Sequence, residues 1–233
     1  MPDQTVPVLF LHGFATSTQR TWRDPGWFDL ISEGGRRAIG IDLLGHGNAD
    51  RPADPEAYAD LATPVVDQLP FDIDSGRQID IVGYSLGART ALDIAIRHPR
   101  LVRRLVLGGV GRNLVASSAD NDNDGATNRD AVSYRFDALM TSDDNDPEIL
   151  RTLADAQQQR RDRYLSSEQL ASVTAPCLLV IGDEDFAGPP EPLADLLPDA
   201  RITLLNGVDH FNLPKQFGFI DAALEFLDAV PKW

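Results

Sequence analysis

The stretch that decides the fold is Ile79–Arg89, which reads IDIVGYSLGAR. A mostly apolar run followed by Gly-x-Ser-x-Gly predicts a buried strand that turns sharply into a helix. A serine on such a turn has a strained backbone and an exposed hydroxyl, as a nucleophile requires. Glycines two residues before and after Ser85 let the strand and the helix pass closely. We therefore expect Ser85 to be a nucleophile, with the Leu86 N–H at a helix N-terminus that favours negative charge.

Two other apolar runs end in a histidine beside glycine. Residues 8–14 read VLFLHGF, and residues 39–52 read IGIDLLGHGNADRP. Together with the serine motif, they resemble the α/β-hydrolase superfamily, whose members commonly carry Asp-x-x-Gly-His-Gly-x-Ser at the second run. This chain departs from that pattern with Ala49, where serine is usual. The position supports a loop, so the departure leaves the predicted chemistry unchanged.

The resemblance implies a role for the loop after the first strand. In this superfamily a backbone N–H of that loop joins the N–H after the nucleophile in stabilising an oxyanion. By position, these two donors are the N–H groups of Phe14 and Leu86. His12 and His46 are expected to be structural residues that support loops, and neither is expected to carry a proton in the reaction.

The C-terminal part of the chain supplies an acid and a histidine. An apolar strand predicted over 176–182 is followed by Asp183 and Asp185, and a second strand over 200–205 is followed by His210. The order serine, acid, histidine is the one that this fold requires. The family usually writes the acid as Gly-x-x-Asp, which selects Asp185 and leaves Asp183 as the alternative. The resemblance implies that His210 accepts the serine proton while Asp185 orients the imidazole.

Length and composition suit a single α/β domain. The chain has 233 residues with 42% hydrophobic residues, enough to bury a substantial core. Its net charge of −15 repels nucleic acid and anionic membranes, so neither is expected as a partner. The lone cysteine, Cys177, falls in a predicted buried strand and is expected to be inert. The N-terminus lacks a basic region and a long apolar run, so a cytoplasmic location is expected. The oligomeric state is not predicted.

The alternation of strands and helices predicts a parallel sheet with helices on both faces. Together with the resemblance, it implies an α/β-hydrolase fold of about six mostly parallel strands. Strands are predicted near residues 7–11, 38–42, 78–83, 103–108, 176–182 and 200–205. We expect none of the extra hairpin that many relatives have before the first of these strands, because few residues precede it. We expect residues 1–111 and 176–233 to form the core and residues 112–175 to form a small helical cap over the site.

The predicted cap contains the first half of a calcium-binding loop. Asp120, Asp122, Asp124 and Gly125 follow the EF-hand pattern, but the position that should carry a bidentate glutamate is Ala131. A solvated acidic loop is therefore expected, and no metal.

Large side chains near the predicted site are candidates for the substrate pocket. The alternative, that they pack loops and cap onto the core, stays open for each one. The candidates are Trp22, Tyr84, Tyr134, Phe136, Met140 and Phe211.

Carboxylic ester hydrolysis on small to medium acyl groups is the first choice among reactions. A serine at residue 85 argues against epoxide hydrolases and haloalkane dehalogenases, which use aspartate there. A triad with an oxyanion hole needs no cofactor, so none is expected, and the expected partner is a small-molecule ester.

Three alternatives remain. The residues around Ser85, from Gly83 to Arg89, are similar to those of the menaquinone-pathway synthase, which is a lyase. The anionic substrate of that enzyme would need basic residues in the pocket. The second is a carbon–carbon bond hydrolase, and the third is a ligand receptor on a hydrolase scaffold. Candidate basic residues for the lyase are Arg89, Arg112, Arg129 and Arg135.

Overall fold

A computed structural model describes residues 6–115, 126–142, 145–160 and 163–231. Six strands form one sheet, in which every neighbouring pair is parallel and the order is β2-β1-β3-β4-β5-β6. This confirms the predicted sheet. The strands are β1 Val8–Leu11, β2 Ala38–Ile41, β3 Ile79–Tyr84, β4 Val102–Gly108, β5 Cys177–Gly182 and β6 Ala200–Leu205.

Helices connect the strands. They are α1 Trp27–Glu33, α2 Ala62–Asp67, α3 Leu86–Arg97, α4 Ala126–Met140, α5 Pro147–Gln159, α6 Ser167–Ala171, α7 Glu191–Ala194 and α8 Phe217–Phe226. Shorter helical turns cover Gln19–Arg23, Pro55–Ala59, Ile73–Ser75, Arg112–Leu114 and His210–Lys215. The turn Pro55–Ala59 and α2 are separate helical segments. Asp60 stands at the division and accepts hydrogen bonds from the N–H groups of Ala62 and Thr63, which starts a new helix.

The central strands are buried on both faces, and their side chains alternate between two cores. One core contains Leu9, Leu11 and Ile81 and packs against α2 and α3. The other contains Phe10 and Val82 and packs against α1 and α8. The carboxyl ends of the parallel strands therefore meet at one edge of the sheet, where β3 and β5 end in the loops that carry the predicted site residues.

The segment between β4 and β5 contributes α4, α5 and α6. Asp146 accepts hydrogen bonds from the N–H groups of Glu148 and Ile149, and Pro147 opens the helix, which accounts for the start of α5. Ser166 and Gln169 form a capping box at the start of α6. The calcium-loop motif, residues 120–125, lies outside the described residues.

Two further observations concern the described part of the chain. None of its helices has the length and apolar character needed to cross a membrane. Cys177 is buried on β5, and burial raises the pKa of its thiol to about 12. A thiol with such a pKa stays protonated and unreactive at neutral pH.

Candidate active site

Ser85 lies on a strained turn between β3 and α3. Its backbone angles are φ 54° and ψ −114°, in the left-handed half of the map that non-glycine residues rarely occupy. A Cβ on Gly83 would lie 2.6 Å from the carbonyl oxygen of Gly87. A Cβ on Gly87 would overlap the carbonyl of Leu11 on the neighbouring strand. The two glycines of the motif are therefore required by close backbone packing, and this packing holds the serine at the strand end.

His210 bridges the serine and a carboxylate. Its Nε2 lies 2.9 Å from Ser85 Oγ, and its Nδ1 lies 2.9 Å from each carboxylate oxygen of Asp185. Imidazole and carboxylate are both buried. Asp185 also accepts a hydrogen bond of 2.8 Å from the Ala187 N–H. With the Nδ1 proton directed at Asp185, Nε2 is left as the acceptor for the serine proton.

The other two carboxylates near the histidine serve different partners. Asp183 Oδ1 accepts the N–H of Gly207 at 2.7 Å, a loop contact. Asp209 accepts the N–H of Asn212 and forms a 2.5 Å ion pair with Arg135 on α4. Of the two carboxylates considered for the acid, the structure brings Asp185 to His210.

Two buried histidines fix the loop that follows β1. His12 Nε2 accepts the N–H of Leu43, and His46 Nε2 accepts the N–H of Ala15, both at 3.0 Å. Burial lowers the pKa of both imidazoles, to about 3 for His46. Both rings are therefore neutral at pH 7 and connect the β1 loop to the β2 loop, as expected for structural residues.

The same loop presents Phe14. In the described part of the chain, no protein acceptor takes a hydrogen bond from the N–H of Phe14 or Leu86. Leu86 is the first residue of α3, where backbone donors have no partner within the helix. Neither N–H group therefore has a protein acceptor among the described residues.

Tyr84 ties the nucleophile strand to the histidine loop. Tyr84 directly precedes Ser85 in the chain. Its hydroxyl donates a 2.7 Å hydrogen bond to the carbonyl of His210. Burial raises the pKa of this phenol well above its usual range, so it remains a hydrogen-bond donor. Gly13 leaves room for the ring, because a Cβ there would lie 2.7 Å from it.

A cavity of about 440 Å³ opens over Ser85 and His210. Four of the six predicted pocket residues line it, namely Tyr84, Tyr134, Phe136 and Phe211. The full lining is Phe14, Thr16, Arg20, Thr21, Tyr84, Ser85, Tyr134, Arg135, Phe136, Ala138, Leu139, His210, Phe211, Asn212, Pro214 and Lys215. We call the strand-end loops that carry Phe14, Ser85, Asp185 and His210 the floor, and the α4 residues from Tyr134 to Leu139 the roof.

The prediction that Trp22 and Met140 line this cavity was wrong. Trp22 is fully buried in the core, with its ring 5.2 Å from Phe10 and 5.1 Å from Trp27. It packs the turn against the sheet because that position faces inward. Met140 instead lines a neighbouring cavity of about 430 Å³ between α4 and α5. Phe14 and Phe136 line both cavities and separate them.

Aromatic rings cover the histidine. Phe136 of the roof lies 5.9 Å from Phe14, 5.8 Å from Phe186 and 5.1 Å from Phe211. Phe186 lies 4.2 Å from the His210 ring, and sequence reasoning missed it. Its position directly after Asp185 is the signal that could have identified it.

The basic residues proposed for an anionic substrate are dispersed. Arg135 lines the cavity. Arg89 is buried in an ion pair with Asp93 on α3, and Arg112 does not line the cavity. The side chain of Arg129 lies outside the described residues. Sequence reasoning missed Arg20 and Lys215, which do line it. Within the described ranges, no group of three or more histidine, cysteine or acidic side chains could hold a metal.

Comparisons with known proteins identify relatives of part of this chain. Over 109 residues the chain is 38% identical to a 2-hydroxymuconate semialdehyde hydrolase of Pseudomonas sp. (strain CF600), covering 44% of this chain and 36% of that protein. Over 113 residues it is 34% identical to a Bacillus subtilis (strain 168) protein provisionally named 2-succinyl-6-hydroxy-2,4-cyclohexadiene-1-carboxylate synthase, covering 46% of this chain and 37% of that protein. These matches span little more than a third of the relatives' lengths.

A solved structure extends the similarity to the whole fold. The serine hydrolase CarC, involved in carbazole degradation, superposes with a TM-score of 0.71 at 22% identity, over 96% of this chain and 91% of that one. The model of the alpha/beta hydrolase family matches residues 8–228. The chain therefore belongs to the alpha/beta hydrolase family.

Proposed function

We propose that the protein is a serine hydrolase that cleaves carboxylic esters of small to medium acyl chains through an acyl-enzyme. The observation that carries the proposal is the hydrogen-bonded chain from Ser85 Oγ through His210 to Asp185, with 2.9 Å at each step. Because Ser85 and His210 line a cavity, the serine hydroxyl is accessible to a carbonyl carbon. That the protein is a hydrolase follows from its family.

Acylation begins with attack of Ser85 Oγ on the ester carbonyl. His210 Nε2 accepts the hydroxyl proton as the new C–O bond forms, and then gives it to the departing alcohol. Asp185 stabilises the imidazolium that exists between these two transfers. Water enters, is deprotonated by the same nitrogen and releases the acid, so that the enzyme returns to its starting state.

The negative charge that develops on the carbonyl oxygen needs donors. The N–H groups of Phe14 and Leu86 are the candidates, since both lie beside Ser85 and neither has a protein acceptor among the described residues. Removing one such donor typically costs about 3 kcal/mol of barrier. The neutral His46 holds this loop through Ala15, which fixes the donor before the substrate binds.

The size of the cavity supports the acyl-chain preference. About 440 Å³ lies at the small end of the range for ligand pockets. Phe14 and Phe136 separate it from the neighbouring cavity and limit its length. A short or medium acyl group fills such a space without displacing the roof.

The test is hydrolysis of 4-nitrophenyl esters from acetate to dodecanoate by the wild type, Ser85→Ala and Ser32→Ala. We expect turnover that peaks at short or medium chains and falls by about 10⁴-fold or more in Ser85→Ala, as removal of a triad serine does elsewhere. Ser32→Ala changes an exposed serine on α1 and should retain full activity. Equal turnover by pure, folded Ser85→Ala protein would refute the assignment.

Hydrolysis of a carbon–carbon bond is the second candidate, favoured by the 38% identity to 2-hydroxymuconate semialdehyde hydrolase. That compound has no ester or amide, so its hydrolysis must break a carbon–carbon bond. The same triad and oxyanion donors suit an aldehyde or ketone carbonyl. Loss of the dienol absorbance of 2-hydroxymuconate semialdehyde, compared with ester turnover on a kcat/KM basis, separates the two. A higher kcat/KM on the dienol compound would replace ester hydrolysis as the assignment.

A further inference from the structure

One side chain of the roof holds both residues that flank the histidine of the triad. Arg135 on α4 donates a 2.5 Å hydrogen bond to Asp209, the residue before His210. The same guanidinium lies 4.1 Å from the centre of the ring of Phe211, the residue after His210. One arginine from the segment between β4 and β5 therefore contacts the chain on both sides of the base.

Asp209 can transmit this contact to the backbone of the histidine. Its Oδ1 accepts the N–H of Asn212 at 3.0 Å and so caps the turn His210–Lys215, which begins at the histidine. Its Oδ2 is the atom that accepts the hydrogen bond from Arg135. Partial burial alone would raise the pKa of this carboxyl, but the hydrogen bonds from Arg135 and Asn212 lower it below its usual range. The carboxylate is therefore ionised at neutral pH and makes both contacts at once.

Two other contacts restrain His210, and they act on different atoms. Asp185 holds the imidazole Nδ1, and Tyr84 holds the carbonyl oxygen. The path of the backbone into and out of the histidine depends on the residues on either side of it. That path determines whether Nε2 stays 2.9 Å from Ser85 Oγ. A displacement of about 1 Å from a productive geometry can lower a rate about 10²-fold.

We propose that Arg135 is a positioning residue for the base, which holds the histidine turn where His210 reaches Ser85 and so makes catalysis depend on the place of α4. The proposal rests on the proposed function, because it assigns a support to the same triad. The ion pair is partly exposed, with 42% and 28% of the two side chains accessible, so it contributes little to folding stability. Its loss should therefore be seen in kcat more than in unfolding.

The experiment compares Arg135→Met and Asp209→Asn with the wild type on its preferred 4-nitrophenyl ester. Asparagine at residue 209 can still cap the turn but cannot form the ion pair. We expect each variant to lose about tenfold in kcat, the size that an ion pair and a cation–π contact can together supply, with KM within about twofold. The double variant should resemble Arg135→Met, because both changes remove one interaction. Single losses that multiply in the double variant would overturn the proposal.

Arg97→Met is the matched control. Arg97 forms a 2.7 Å ion pair with Asp60, and the two side chains are 36% and 44% exposed, similar to the pair of Arg135. This pair connects the end of α3 to the chain just before α2 and does not line the active-site cavity. Arg97→Met should change the melting temperature as little as Arg135→Met does and should keep the wild-type kcat. An equal loss of kcat in both variants would overturn the proposal. So would an Arg135→Met variant that has a raised KM and an unchanged kcat, since Arg135 would then be a substrate contact.

Two measurements keep the proposal separate from ester hydrolysis. Diethyl 4-nitrophenyl phosphate reacts with an activated serine, so that a bond forms from Ser85 Oγ to phosphorus and 4-nitrophenolate is expelled. The Nδ1 proton of His210, in its hydrogen bond to Asp185, gives a low-field NMR signal that its loss in His210→Gln identifies. We expect Arg135→Met to slow the phosphorylation about tenfold and to weaken or shift the signal, while Arg97→Met matches the wild type in both.

The outcomes of these two measurements separate the two hypotheses. A phosphorylation rate or an NMR signal that Arg135→Met leaves unchanged overturns the proposal. If the wild type hydrolyses no ester, but Arg135→Met alters both the rate and the signal, the positioning role stands and only ester hydrolysis fails.

Discussion

The floor and the roof of the cavity are built in different ways. Close backbone packing and hydrogen bonds to the backbone fix the floor, since Gly83 and Gly87 leave no room for a Cβ and two buried histidines accept N–H groups of the neighbouring loops. Side chains fix the roof, through ring contacts around Phe136 and one ion pair from Arg135 to Asp209. A backbone arrangement tolerates little change, whereas ring contacts can be rebuilt. The floor therefore determines the chemistry, and the roof can adjust the choice of substrate.

The largest expected effect separates the two acids of the floor. Asp185→Asn should lower kcat by about 10⁴-fold, because the amide cannot hold the required imidazole tautomer. Asp183→Asn should stay within about threefold, since an amide oxygen can still accept the Gly207 N–H. Steady-state kinetics on the preferred ester, with circular dichroism as a folding control, give the ranking. The opposite ranking would make Asp183 the acid.

Acid should lower the free energy of unfolding through the two buried histidines of the floor. His46 stays neutral in the native state over this range because burial lowers its pKa to about 3, and burial also lowers the pKa of His12. The unfolded chain binds these protons below about pH 6.5, so the free energy of unfolding should fall as pH falls. The slope is about 1.4 kcal/mol per pH unit for each such histidine. Urea unfolding between pH 6.5 and 5, above the range of most carboxylates, measures it.

His46→Gln is the matched variant for that pH dependence. It removes one titrating group and retains an amide near Ala15. The slope of its unfolding free energy with pH should be shallower than that of the wild type by one histidine's share. An unchanged slope would show that His46 is already protonated in the native state.

One added methyl group in the floor should destabilise the protein more than a larger addition in the roof. Gly87→Ala places a Cβ against the carbonyl of Leu11 and 2.6 Å from the carbonyl of His12, and neither can move freely. We expect a loss of about 1–3 kcal/mol of unfolding free energy. Ala138→Leu adds more atoms to an exposed position of the roof and should change it by less than about 0.5 kcal/mol. Equal losses in urea unfolding would contradict the comparison.

The smallest expected effect is in the roof. Phe136→Ala removes the ring between the two cavities and joins them. The chain-length optimum should move toward longer acyl groups, with about a tenfold loss or less on short esters. Phe217→Ala, at an 81% exposed position of α8 that lines neither cavity, is the control and should leave the optimum unchanged. An unmoved optimum in Phe136→Ala would assign the length limit to another wall.

The sheet and the floor could be predicted from the sequence because their signals are local. Gly83, Ser85 and Gly87 stand within five residues, and the backbone packing that they permit leaves few substitutes. The distance from the end of β5 to Asp185 is similarly short. Such spacings carry geometry directly, so the motif and the structure point to the same three side chains.

The roof and the other residues that line the cavity could not be predicted in the same way. Trp22 is large and apolar, but these properties do not say whether it faces the cavity or the core, and it faces the core. Arg20 and Lys215 are 195 positions apart in the chain and line the same cavity because two short turns pack together. Contacts of this kind depend on tertiary packing, which hydrophobic periodicity does not report.

The hydrogen bond from Tyr84 to the carbonyl of His210 has a mechanical consequence. The residue that precedes the nucleophile also holds the backbone of the base, so the two reacting groups move as one body. A shift of the β3 end carries the histidine with it and preserves the 2.9 Å contact. The proton path therefore has a direct link to the sheet, in addition to the link to α4 through the Arg135–Asp209 ion pair.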